Sequence, residues 1–283
     1  MGGFSLLGNI AFLQSDNALQ LTQQELATTL YRLATGNRIN SGADDPAGLS
    51  IADALHVNET ALNQSSLNAN AGIGKLQVAD GALAQVTNLL DRAVTLATEA
   101  ANGTVTSTQA TALNEEFTSI KAQIDNIGQN TTYNGQSVFS TSSTSIFISD
   151  GVGSYTIGVE VNTLGQSQIN AAAGSGLSAV NLSSDNLTSV SSATAALSDI
   201  NSAIDNVSSK RGEIGASVDQ LQSAVDLINV QVDNLTAAEQ SIRGVNLAQE
   251  MNNLAQYNIL YQTGMSATAQ ANTVQAAVLS LLK

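Results

Sequence analysis

The feature that most constrains this chain is a run of apolar residues at alternating three- and four-residue steps. It passes through Val190, Ala193, Leu197, Ile200, Ile204, Val207, Arg211, Ile214, Val218, Leu221, Val225, Ile228, Val232 and Leu235. Only Arg211 breaks the apolar set. A stripe repeating every seven residues over this length specifies a long helix whose face must be covered by another helix. A second strict heptad, Leu55, Leu62, Ala69, Leu76, Leu83, Leu90 and Ala97, offers a partner of matching length and period. Gly72, Gly74 and Gly81 interrupt it, which predicts a local kink or close helix packing there. Two such helices exclude a compact multilayer enzyme fold and favour a rod.

The flanking stretches extend the pattern. Phe12, Leu19, Leu26 and Leu33 recur every seven residues, with Leu6, Leu13, Ala27 and Ala34 beside them, so a helix covers roughly the first thirty-five residues. Gly36 then fits a left-handed helix C-cap, and Asp44–Asp45 before the chain's only proline, Pro46, fit an acidic N-cap with proline in the first turn. A shorter helix shows Leu113, Phe117, Ile120, Ile124 and Ile127 on one face and is expected to stop at Gly128. From Thr131 the period falls to two, through Ser137, Phe139, Ser145, Phe147, Tyr155, Ile157, Val159 and Val161, which predicts one or two hairpins. Arg243–Gly244 forms a second connector. A last helix opens with Leu247, Met251, Leu254, Tyr261 and Met265 and runs to Leu282.

The fold class expected is therefore mainly α: long antiparallel helices packed as coiled coils in two nested domains, with a small central β-hairpin region. The segments are 1–36 (terminal helix), 37–45 (connector), 46–130 (paired helices), 131–184 (hairpins), 185–240 (long helix) and 241–283 (last helix).

Composition narrows the function classes. A net charge of −14 disfavours both phosphate backbones and anionic membranes. With no cysteine there is neither a disulfide framework nor a thiolate metal site. The one histidine, His56, has no second histidine or cysteine beside it and reads as a solvated helix-surface residue, so no metal and no cofactor are expected. Asp44–Asp45 and Glu115–Glu116 are adjacent pairs pointing to different faces, unsuited to paired acid/base work. No catalytic residue is assigned, and an enzyme is not expected. The N-terminus lacks a basic region ahead of its apolar run, and no segment is long enough to span a membrane.

The run Arg32-Leu33-Ala34-Thr35-Gly36-Asn37-Arg38-Ile39-Asn40 and the following Ala43-Asp44-Asp45-Pro46-Ala47-Gly48-Leu49 resemble the N-terminal signature of bacterial flagellins. Gly81-Ala82-Leu83, Leu90 to Gly103, Ile124-Asp125 and Thr132-Tyr133-Asn134-Gly135 are similar to further blocks of that family. Gln270-Ala271-Asn272 and Val278 to Lys283 resemble its ending. The resemblance implies a short form lacking large variable outer domains. It departs at Gly2-Gly3-Phe4, at Ile242 to Asn246, where the family has carboxylates, and at Thr273-Val274-Gln275, where it has a proline.

The resemblance also implies a function: the chain would be a structural subunit of the flagellar filament for motility, exported without a cleaved signal peptide to the extracellular filament. On the same resemblance, residues 1–36 and 241–283 would form an inner tube, 37–45 a spoke, and 46–130 with 185–240 an outer tube. Polymerisation seams would be Phe12, Leu19, Leu26, Leu33, Leu254, Tyr261, Met265, Leu279 and Leu282. Partners would be further copies, an export chaperone on the C-terminal helix, filament cap and junction proteins, and the vertebrate Toll-like receptor that senses flagellin, through Arg92, Leu96 and Glu116. The Ser/Thr run 140–145 would be a surface segment carrying O-linked sugars or a plain polar loop. A hook–filament junction protein and a cytosolic coiled-coil adaptor are the rival functions.

Overall fold

The computed structural model describes residues 10–140, 144–149, 153–159, 161–169 and 178–281. Among these, the helices are α1 (Ile10–Thr35), α2 (Pro46–Ala100), α3 (Ser107–Asn130), α4 (Val190–Arg243) and α5 (Leu247–Leu281). Between α3 and α4 lie the strands β1 (Thr132–Tyr133), β2 (Gln136–Ser137), β3 (Thr144–Ser149), β4 (Ser154–Val159), β5 (Leu164–Gly165) and β6 (Gln168–Ile169). The chain divides into two compact units. One combines residues up to Val57 with those from Asn234 onward, and the other spans Asn58–Asp233. The first unit thus takes in the opening turns of α2 and the closing turns of α4.

In the 58–233 unit the α2 heptad is buried as its spacing requires: Leu62, Ala69, Leu76, Leu83, Leu90 and Ala97 are inaccessible. On α4 the deep face is rotated from the expected one. Ala193, Ile200, Val207, Ile214, Leu221 and Ile228 are buried, but the second stripe is Ala196, Ala203, Lys210 and Ala224. Leu197, Ile204, Val218 and Val225 lie half-buried on its flank. Small side chains occupy the deep stripe, and the larger ones shield the seam from the side. Asp80 on α2 pairs with Arg211 on α4 through two hydrogen bonds of 2.7 and 3.2 Å.

Helix α2 is unbroken through its glycines, so close packing is the outcome at two of them. A Cβ at Gly72 would run into Ile146 of β3, and one at Gly74 would lie 3.0 Å from the Tyr133 hydroxyl. Helix α3 begins with a reciprocal Thr106–Gln109 capping box. It does not stop at Gly128 but continues to Asn130, with Thr131 as C-cap. Gly128 is there because the backbone of Leu164 in β5 packs against its Cα.

Three two-stranded antiparallel hairpins follow, one more than expected. Asn134 and Gly135 both have positive φ (51° and 75°), which joins β1 to β2 by the two-residue turn that Asn-Gly favours. In β3–β4, Ile146, Ile148 and Ile157 face inward while Phe147 faces out. Buried Ser65 of α2 closes this hairpin, donating to Ser149 O at 2.8 Å and accepting from Ser149 N at 2.9 Å. The third hairpin, β5–β6, escaped the period-two reading because each strand is only two residues long. It is held by side chains: Asp125 accepts from Gln166 N at 2.7 Å, and buried Asn206 donates to Ile169 O and Ser178 O at 2.9 and 2.8 Å. Residues 141–143 of the Ser/Thr run and 171–176 lie outside the described residues.

Candidate assembly interface

Helices α1 and α5 pack along one another in antiparallel fashion within the terminal unit. Leu19 faces Gly264, whose Cβ position would lie 3.2 Å from Leu19 Cδ1, so a glycine lets the helices approach. The seam is shallow. Phe12, Leu19, Leu26 and Leu33 on α1, and Leu254 and Tyr261 on α5, are only half-buried, and Met265 is 51% exposed. Leu279 falls in helix α5, and Leu282 lies outside the described residues. Among the described residues no apolar side chain of either helix is fully buried.

The opposite faces are apolar as well. Leu13, Leu21, Leu30 and Tyr31 on α1, and Leu247, Met251, Ile259 and Leu260 on α5, are all exposed, Leu21 at 63% and Ile259 at 62%. An isolated soluble helix pair rarely presents so much apolar surface on its outer sides. Among the described residues, the buried side chains of the pair are polar ones, Thr29 and Glu250. Glu250 was not singled out in the sequence because it lies beyond the connector, and its partner Arg32 is more than two hundred positions away.

The connectors that frame this pair hold each other. Gly36 has φ of 71° and donates its N–H to Arg32 O at 2.9 Å, the expected left-handed cap. The chain then forms a short antiparallel bridge, Asn37 opposite Gly244. In it Arg38 N donates to Arg243 O at 2.6 Å and Val245 N donates to Gly36 O at 3.0 Å. Two arginines reinforce the bridge: Arg38 Nη2 donates to Ile242 O at 2.8 Å, and Arg243 reaches Ile39 O, Asp53 and Glu239. Asp45 caps α2 by accepting from Gly48 N at 3.0 Å, while Asp44 gathers Ser41 Oγ, Asn40 N and Ser41 N. The Ser41 hydroxyl, followed by these two amides, holds the Asp44 carboxyl below its ordinary value.

The receptor candidates separate. Arg92 and Glu116 are exposed and joined by two hydrogen bonds, Nε to Oε1 at 2.8 Å and Nη2 to Oε2 at 3.1 Å, which raise the arginine and lower the carboxyl. Leu96 is fully buried. Although one helical turn from Arg92, it is inaccessible, so the two do not form a shared exposed surface. His56 is mostly exposed and sits 3.6 Å from Glu239. Among the described residues no helix is long and apolar enough to cross a membrane.

Comparison with known proteins gives a consistent result. The family model for the bacterial flagellin N-terminal helical region matches residues 7–144, and that for the C-terminal helical region matches residues 197–282. A flagellin of Listeria monocytogenes is 30% identical over 271 residues, covering 93% of this chain and 94% of that one. A flagellin of Halalkalibacterium halodurans is 29% identical over 255 residues, 90% of each chain. The B-type flagellin of Pseudomonas aeruginosa is 41% identical over 128 residues, 45% of this chain and 26% of its own. Among solved structures, Bacillus cereus flagellin aligns at a TM-score of 0.48 and 26% identity, covering 61% of this chain and 94% of that one. The chain belongs to the bacterial flagellin family, whose members are structural subunits of the bacterial flagellar filament.

Proposed function

We propose that this chain polymerises into the extracellular flagellar filament through the outer faces of α1 and α5. The observation that carries this is the pairing of two long, nearly uncharged helices that fully bury no described apolar side chain while exposing leucines, isoleucine and methionines along both outer sides. Further copies of the chain supply the missing cover. The same α5 face suits an export chaperone before assembly, and filament cap and junction proteins are further partners on this reading. Leu21→Asp or Ile259→Asp places a charge on the outer face without entering the α1/α5 seam. The expected result is a chain with unchanged helical content that no longer yields sedimentable polymer. Polymer formed by both variants at the wild-type yield would overturn the proposal.

A second reading concerns the Toll-like receptor that senses flagellin. It rests on the exposed Arg92–Glu116 pair, with Leu96 acting only by seating the helix beneath it. Arg92→Ala should abolish receptor activation by monomer while leaving the unfolding transition in place. An unchanged response would exclude this pair as the contact.

A further inference from the structure

We propose that the Arg32–Glu250 ion pair sets the register in which α1 lies along α5. The apolar seam cannot do so by itself. Phe12, Leu19, Leu26 and Leu33 repeat every seven residues, as do Leu254 and Tyr261, so a slide of one heptad sets apolar residue against apolar residue again. None of these side chains is buried deeply enough to interlock.

The charged residues break this degeneracy. Helix α1 carries only Asp16, Glu25 and Arg32, and α5 carries only Glu250 among its described residues. Glu250 is 7% exposed, with Oε1 at 3.9 Å from Arg32 Nη1 and Oε2 accepting from Asn253 Nδ2 at 3.2 Å. Arg32 Nη2 also reaches Asp44 Oδ1 at 3.5 Å. Arg32 Nε and Glu250 Oε1 are buried with no hydrogen bond, so the charge across the seam is the only compensation these two atoms have. With Leu19 opposite Gly264 and Arg32 opposite Glu250, a slide of seven residues has two outcomes. In one direction Arg32 meets Arg243 and Glu250 meets Glu25, two like-charge encounters. In the other Arg32 meets Tyr257 and Glu250 meets Ile39, which leaves Arg32 with Asp44 alone and Glu250 with no charged partner. A polar pair with one buried member, in a seam that holds no other charge pair among the described residues, is a means of fixing register. The connector bridge between Asn37 and Gly244, reinforced by Arg38 on Ile242 O and Arg243 on Ile39 O, holds the ends of the pair and is the competing determinant of register.

Register matters for the proposed assembly: a slip of seven residues moves the helix ends by about 10 Å, so a shared register gives all copies the same interface. The inference itself is tested in the unpolymerised 283-residue chain. The chain has no cysteine, so paired cysteines report cleanly. Leu19→Cys with Gly264→Cys reads the native register, since the Leu19 Cβ lies 4.0 Å from the Cβ position of residue 264. Leu26→Cys with Gly264→Cys and Phe12→Cys with Gly264→Cys read the two slipped registers. After mild oxidation, the cross-linked peptides are quantified by mass spectrometry.

With Arg32 and Glu250 intact, only the native pair should cross-link. In Glu250→Leu, the Leu26 pair should rise at least about tenfold relative to the native pair, a shift that corresponds to one decade in the register equilibrium. Glu250→Gln keeps the side-chain shape and gives an intermediate ratio, which serves if the leucine variant fails to fold. Slipped cross-links that stay absent in both variants would show that the connector bridge suffices and overturn the proposal. So would slipped cross-links already present in the wild-type background, or no native cross-link there. A chain that cross-links in the native register but forms no polymer would count against the assembly reading and leave this one standing.

Discussion

Glycine-to-alanine exchanges in this chain should change stability with opposite signs, depending on what faces the glycine. Inside an exposed helix the exchange is worth about 1 kcal/mol, through propensity and the entropy of the unfolded chain. Gly212 and Gly215 of α4 have nothing within 4 Å of the added Cβ, so each alanine there should stabilise the 58–233 unit by about 0.5–1 kcal/mol. Gly128 of α3 has the same helical setting and the opposite prospect. Its Cβ would collide with Leu164 O, and would lie 2.8 Å from Leu164 C and 3.3 Å from Leu164 Cβ. That backbone cannot step aside freely. Gln166 N is tied to Asp125, Leu182 N donates to Gln166 O at 2.7 Å, and Leu164 pairs with Ile169, which is bonded in turn to Val180. Relief requires either moving the β5–β6 hairpin or breaking two or three hydrogen bonds at about 1 kcal/mol each.

The net expectation for Gly128→Ala is therefore a loss of about 1–3 kcal/mol, after the propensity gain is subtracted. For a unit of this size the melting point should fall by roughly 2–4 °C per kcal/mol. Thermal and urea unfolding followed by far-ultraviolet circular dichroism would compare the three variants with the parent chain. A Gly128→Ala midpoint at or above the parent, with Gly212→Ala and Gly215→Ala shifted upward, would refute the claim that the Leu164 backbone holds this position to glycine.

Asn206→Ala leaves the carbonyls of Ile169 and Ser178 without their buried donor and should cost about 2–4 kcal/mol in urea unfolding; a loss below about 0.5 kcal/mol, the level of an ordinary surface change, would count against it. Asp185→Asn should raise stability at neutral pH. Burial first, and the charge of Asp199 second, push the Asp185 carboxyl up against the smaller pull of Lys121, so the folded state binds its proton more tightly than the unfolded chain. Stability is then lost as pH rises from about 4 through the raised value, and the lead of the asparagine variant should vanish near pH 3; a lead of equal size at both pH values would exclude the ionisation as its cause.

The heptad on α2 was legible because its seven-residue spacing marks inaccessible positions from Leu62 to Ala97, although the buried face also takes in Ser65 and leaves Leu67 exposed. On α4 the most apolar stripe is not the deepest one. Hydropathy ranks Leu197 and Ile204 above Ala196 and Ala203, yet the alanines are inaccessible and the larger residues half-buried. Where two long helices approach closely, volume decides the deepest stripe, and periodicity alone cannot separate adjacent stripes of a helix that is apolar on both. The buried polar residues were hidden for a related reason. Lys121 donates to Asp185 O at 2.7 Å and Asn206 to two carbonyls, while Arg32 meets Glu250, so each partner lies far along the chain and several are backbone atoms with no sequence signature.

Glycine shows the limit most sharply. Gly72, Gly128 and Gly264 sit where another element presses on the helix, whereas Gly81, Gly212 and Gly215 face open space. All six lie inside helices, at positions that the helical pattern treats alike. What distinguishes them is the position of β3, β5 and α1, which is fixed by hydrogen bonds through Ser65, Asp125 and Asn206 and by the seam at Leu19. A sequence reading can mark each glycine as a possible close approach; only the tertiary partner decides whether the missing Cβ is a requirement or merely a local cost of about 1 kcal/mol.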